Sequence, residues 1–82
     1  MADLSQPRAN RLEEMARTKM VRVLGAARAE QLYDEVLREC GLGGITTPEH
    51  LLAFARALAR RPGFEGTVGT MLSVQAVMSG AR

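Results

Sequence analysis

The chain has 82 residues, of which 46% are hydrophobic and 24% are charged, and it carries a net charge of +2. These values are typical of one small globular domain and exclude a disordered or collagen-like chain. A single cysteine and a single histidine exclude an internal disulfide and the familiar ligand spacings of zinc sites. No apolar run could span a membrane and the N-terminus lacks a signal-peptide core, so we expect a cytoplasmic protein that does not bind membranes.

The first two predicted helices span residues 10–24 and 26–40, and Gly25 separates them. Asn10 and Glu13 have the spacing of a capping box, which predicts a helix start at residue 10 and leaves residues 1–9 as a flexible arm. In the second helix, apolar residues recur at i, i+3, i+4 and i+7 while charged residues take the opposite side. Gly41 then suits the left-handed position that ends many helices.

The third predicted helix spans residues 47–61 and has clear signals at both ends. Thr47 is a suitable N-cap, Pro48 occupies a position where no amide hydrogen is needed, and Glu49 lies at the positive end of the helix dipole. Arg60 and Arg61 lie in the last turn, and Pro62 and Gly63 follow, which is typical of a helix end.

The fourth predicted helix, residues 64–79, overlaps a stretch without any charged residue, 66–81. Such a stretch is hard to keep in water on every side. One side is bulky and another carries small residues, which let two backbones approach closely. We therefore predict that one face enters the core and the other meets a second chain. The predicted interface comprises Gly66, Gly69, Ser73, Val74, Ala76, Met78 and Gly80.

A strand is the alternative for this segment, because apolar residues also alternate along 68–78 and three glycines lower helix propensity. Only residues 20–24 could pair with it, and two strands alone are marginally stable. The pattern therefore favours an all-α fold for residues 10–82. We expect a single domain, a small four-helix or three-plus-one-helix bundle that is completed by oligomerisation.

Residues that could carry catalysis are few. Cys40 and His50 are the only candidates for a nucleophile and base. Cys40 is predicted at the C-terminal end of a helix beside Glu39, where both the dipole and the carboxylate disfavour a thiolate. We therefore predict no catalytic residue, no cofactor and no metal.

Basic residues cluster at two places in the sequence. Arg8, Arg11, Lys19 and Arg22 fall on one side of the first helix by the 3.6-residue period. A second cluster comprises Arg56, Arg60 and Arg61. These residues either bind a nucleic acid or an acidic partner, or pair with the acidic second helix. Nine acidic residues, three aromatic residues and a modest net charge argue against nucleic acid.

These observations together predict a protein without enzymatic activity. We expect an interaction or regulatory module that acts as a homodimer or higher oligomer, or as an adaptor subunit of a larger cytosolic protein. The alternative is a small DNA-binding protein that regulates transcription through its Arg-rich helix faces.

Overall fold

The computed structural model describes the backbone of residues 8–81 and the side chains of residues 11–81, and this part of the chain contains four α-helices and no strand. The helices are α1 (Arg8–Leu24), α2 (Ala26–Cys40), α3 (Pro48–Ala59) and α4 (Gly63–Met78). The predicted all-α bundle is confirmed, and the alternative of a strand in the last segment does not occur.

The start of α1 differs from the prediction. The helix begins at Arg8, so the backbone of Asn10 lies inside the helix and not at the N-cap position, and residues 8 and 9 belong to the helix and not to an arm. Residues 1–7 of the predicted arm lie outside the described residues. The Glu13 carboxylate accepts a hydrogen bond from the Tyr33 hydroxyl. This carboxylate therefore joins two helices, whereas a capping box would have used it locally.

Two glycines with positive φ mark the ends of α1 and α2. Gly25, with φ +89°, is the only residue between the two helices. Gly41, with φ +70°, ends α2: its N–H donates to the Arg38 carbonyl at 3.1 Å, and the Leu42 N–H donates to the Leu37 carbonyl at 2.9 Å. The second bond is typical of a Schellman motif, so α2 ends where the sequence predicts.

The N-terminus of α3 is capped as predicted and has an additional bond. Thr47 Oγ1 accepts the His50 N–H at 3.1 Å, and His50 Nδ1 accepts the Thr46 N–H at 3.1 Å. Two backbone donors are thereby satisfied by side chains of neighbouring residues, as in a capping box. The helix ends at Ala59, two residues before the predicted end.

The core is apolar throughout, with no buried polar or charged residue among the described ones. α3 and α4 form the most extensive helix pair of the described part, and α1 and α2 pack beside them. Tyr33 and Phe54 stack at a tilt, with ring centroids 5.3 Å apart. The largest fully buried side chains belong to Met20, Leu32, Val36, Ile45, Leu51, Phe54, Leu58, Val68 and Leu72.

Candidate protein interaction surface

The inner face of α4 packs against α3 through small residues. A Cβ on Gly69 would overlap the backbone of Ala59, lying 2.6 Å from its Cα. One on Gly66 would overlap the Arg61 carbonyl oxygen in the turn after α3 and would lie 3.2 Å from the Ala59 carbonyl oxygen. Neither position has room for a side chain. The two glycines therefore allow the backbones of α3 and α4 to approach more closely than alanine would allow.

The structure thus places the small residues differently from the prediction. Gly66, Gly69 and Ala76 are buried inside this chain, so they have no surface left for a second chain. Ser73 is half-buried, and Gly80 is exposed beyond the end of the helix. The close approach of α3 is the physical reason, because it covers the small side of α4.

Most of the large side chains of α4 face outward, whereas Val68 and Leu72 are buried in the core. We define the outer face of α4 as its seven exposed apolar or threonine positions, and it contains no charged residue. Phe64 is 72% exposed, Val74 55%, Val77 58% and Met78 75%. Val74 and Met78 were predicted at an interface and do lie together on this face. The full set is Phe64, Thr67, Thr70, Met71, Val74, Val77 and Met78.

Five of these residues follow a heptad pattern that sequence reasoning missed. Phe64 begins the pattern, and the others follow 3, 7, 10 and 14 residues later. This is the a/d spacing of a helix that packs along another helix. The five residues, which we call the seam, are Phe64, Thr67, Met71, Val74 and Met78.

Hydroxyl groups on and beside the outer face are occupied within the helix. Thr67, Thr70 and Ser73 each donate a hydrogen bond to the carbonyl oxygen four residues earlier. The distances are 3.3 Å for Thr67 to Gly63, 3.2 Å for Thr70 to Gly66 and 3.0 Å for Ser73 to Gly69. Covering this face with another protein therefore leaves none of the three hydroxyl hydrogens without an acceptor.

An ion-pair network lies at the N-terminal end of α4. Arg61 contacts Glu39 at 2.5 Å, Glu35 at 3.5 Å and Glu65 at 4.0 Å, and Arg28 contacts Glu65 at 2.8 Å. The network ties the turn between α3 and α4 to α2. Arg61 is one of the basic residues for which the sequence left two roles open. The structure shows the second role for this residue, because its charge is paired with carboxylates of α2.

The other described residues of the two predicted basic clusters make no ion pair within residues 11–81. Arg11, Lys19 and Arg22 line a shallow groove along α1, and Arg56 and Arg60 are exposed on or just after α3. The side chain of Arg8 lies outside the described residues.

Cys40 and His50 are each engaged with other partners. The Cys40 thiol donates to the Ala53 carbonyl oxygen at 3.6 Å. Burial raises the pKa of this thiol, and the neighbouring Glu39 carboxylate raises it further. His50 contributes to the cap of α3 through its Nδ1. Within residues 11–81, no group of three or more His, Cys, Asp or Glu side chains is arranged to hold a metal ion.

The fold and this surface define a small helical bundle with one apolar helix face exposed. In comparisons with known proteins, no family model, no curated protein and no solved structure matches the chain. None of the helices of the described part has the length and apolar character needed to cross a membrane.

Proposed function

We propose that this protein is a cytoplasmic interaction module without enzymatic activity, which acts by binding another protein chain through the outer face of α4. A second copy of the same chain is the simplest partner, and an adaptor role in a larger assembly is compatible with the same face. The observation that carries the proposal is the uncharged outer face, from Phe64 to Met78, in a molecule whose other large apolar residues are mostly buried.

Burial of this face provides the driving force for association. Covering a large apolar side chain contributes about 1.5–3 kcal/mol when it passes from fully exposed to fully buried. The four most exposed side chains are Phe64, Val74, Val77 and Met78, and each is partly buried already. Their combined contribution of several kcal/mol is opposed by about 4–15 kcal/mol of lost translational and rotational freedom. We therefore expect weak, concentration-dependent association.

The size of the face supports the same conclusion. The seam spans 14 residue steps, or about 21 Å at 1.5 Å per residue, and a helix with side chains is about 10–12 Å wide. A strip of that size is small compared with the ~800 Å² that each partner buries in a standard interface. An interface made by this strip alone belongs to the transient class.

The test is the mass in solution as a function of concentration. Light scattering from about 10 μM to about 1 mM covers the weak affinities expected here. The wild-type chain should pass from monomer to dimer, and Val74→Arg should remain monomeric because it places a charge in the apolar contact. Val23→Arg is the matched control, since Val23 is an exposed valine of α1, outside the outer face. A wild-type chain that stays monomeric throughout contradicts self-association, and a Val74→Arg variant that still dimerises contradicts the role of the outer face.

A second candidate function is DNA binding, favoured by the exposed side of α1. Arg11, Lys19 and Arg22 line one groove together with Glu14, and none of the three basic residues makes an ion pair within the described residues. We expect such binding to weaken steeply as salt is raised, because phosphate contacts release counterions. The double variant Arg11→Ala, Arg22→Ala should lose affinity for duplex DNA, whereas Arg38→Ala, on the exposed side of α2, should not. Absence of any binding at low salt contradicts this function.

A further inference from the structure

We infer that the chain seated on the outer face of α4 is a second copy whose own α4 runs antiparallel, with the two-fold axis passing between Met71 and Val74. This inference rests on the proposed function and names its partner and geometry. It follows from three features of α4: the order of side-chain sizes along the seam, the absence of charge on the seam, and the difference between the two ends of the helix.

The order of sizes favours the antiparallel pairing. In an antiparallel pair of heptad seams, each a position lies opposite a d position of the other helix. With the axis between Met71 and Val74, Thr67 faces Met78 of the second copy and Met71 faces Val74, while Phe64 lies beyond the last layer, past the end of the partner helix. Every such layer combines a long side chain with a short one, so the gap between the helices is filled evenly, as close packing requires. In a parallel pair, threonine would face threonine and methionine would face methionine, and the layers would alternate between loose and crowded.

The absence of charge favours a second copy as the partner. A two-fold contact uses the same patch twice, so any charge in the seam would be placed near its own copy. The seam has none, and the formal charges of α4 are confined to Glu65 at its N-terminal end. Symmetry also supplies a seam of matching length and spacing without a different protein.

The two ends of α4 favour the antiparallel direction independently. The N-terminal end carries the network of Arg28, Arg61 and Glu65, together with the positive end of the helix dipole. The last turn carries no basic residue to complement the negative end. An antiparallel partner places each positive end beside a negative end, whereas a parallel partner places two similar networks and two like dipole ends side by side.

Engineered disulfides test the direction. In a Cys40→Ser background, Thr67→Cys and Met78→Cys each place one thiol at an exposed position of the seam. The two positions are 11 residues apart, about 16 Å along the helix, and a disulfide requires Cα atoms within about 7 Å. One variant carries an affinity tag so that the mixed dimer is separated by size on a non-reducing gel. Thr18→Cys, exposed on α1, reports the background of random collisions.

We expect the mixture to form the Thr67→Cys to Met78→Cys disulfide well above the Thr18→Cys background, while neither variant alone exceeds it. Efficient disulfides of each variant with itself show a parallel pair and overturn the inference. Background levels in every combination, with a wild-type chain that dimerises by light scattering, overturn it as well, and these two results leave the proposed function standing. A wild-type chain that is monomeric at all concentrations overturns this inference together with the self-association on which it rests.

Discussion

The two helix pairs of this bundle have short connections but are held together differently. α3 and α4 meet through glycines and apolar side chains, so their contact depends on shape. α1 and α2 add a group of polar contacts, which we call the polar clasp: Tyr33 donates to Glu13, Arg17 pairs with Glu30 at 2.6 Å, and the Arg17 guanidinium lies 4.9 Å from the Tyr33 ring centre. The first pair should therefore respond to changes of volume, and the second to pH and salt.

This difference bears on the proposed function. The close contact with α3 lies on the side of α4 that carries the glycines together with Val68 and Leu72, so the outer face with its other large side chains remains exposed. A looser contact could have accommodated a different rotation of α4. Substitutions that change only the apolar contact between α3 and α4, or only the polar clasp between α1 and α2, should therefore have different effects on stability.

The largest effect is expected from the apolar core between α3 and α4. Leu72→Ala should lower the free energy of unfolding by about 2–5 kcal/mol, because Leu72 is fully buried and its truncation leaves a cavity. Val77→Ala, on the outer face of the same helix, should change it by less than about 0.5 kcal/mol. Urea denaturation in the Val74→Arg background measures both without a contribution from association. Similar losses for the two variants contradict the assignment of inner and outer faces.

The next effect tests the close approach directly. Gly69→Ala should lower the free energy of unfolding by about 1–3 kcal/mol, because the added methyl group overlaps the backbone of Ala59. This loss is expected in spite of the ~1 kcal/mol that alanine gains over glycine in helix propensity. Gly43→Ala is the control, since nothing lies within 4 Å of its added Cβ and its φ is not positive. A Gly69→Ala variant as stable as the wild type shows that the helices are not in close contact there.

The polar clasp should produce a smaller effect that depends on pH. Tyr33→Phe removes the hydrogen bond to Glu13 and should cost about 1–2 kcal/mol at pH 7. Burial, and then the hydrogen bond to Glu13, raises the pKa of Tyr33 above its usual value of 10.0. Between pH 10 and this raised pKa, the unfolded chain has released a proton that the folded chain keeps, so stability falls as pH rises.

The stability difference between wild type and Tyr33→Phe should therefore be constant below about pH 10 and shrink above it. Denaturation curves from pH 7 to about pH 11 measure it, and the other titrating groups are the same in both proteins. A difference that stays constant over the whole range means that the Tyr33 hydroxyl is not held as described.

The smallest effect belongs to the exposed part of the clasp. Arg17→Ala should cost about 0.5–1 kcal/mol at low salt, because the pair with Glu30 and the contact with the Tyr33 ring are both open to water. Raising the salt concentration to about 1 M should reduce this loss by screening the pair. The loss caused by Gly69→Ala should not change with salt in the same way. Equal salt sensitivity of the two variants removes the distinction between the helix pairs.

Much of the fold could be predicted because its signals are local. The bounds of α2 agree at both ends, since its amphipathic period and Gly41 depend only on neighbouring residues. Thr47 and Pro48 likewise mark the start of α3. The apparent capping box of Asn10 and Glu13 is the local signal that was wrong, because α1 begins at Arg8. The Glu13 side chain contacts Tyr33, 20 residues away, and that contact is not visible in a local motif.

The candidate site shows the same division. The absence of charge in residues 66–81 and the helical spacing of their small and large side chains indicate that α4 has two apolar sides, and this pattern predicts Val74 and Met78 at the interface. Which side is buried was decided by packing. Both sides lack charge, so the hydrophobic effect hardly distinguishes them, and the close fit of Gly66 and Gly69 to α3 depends on where α3 lies. The helical type of each segment and most of the helix ends therefore follow from neighbouring residues, whereas the exposed face of α4 follows from contacts between residues that are distant in the sequence.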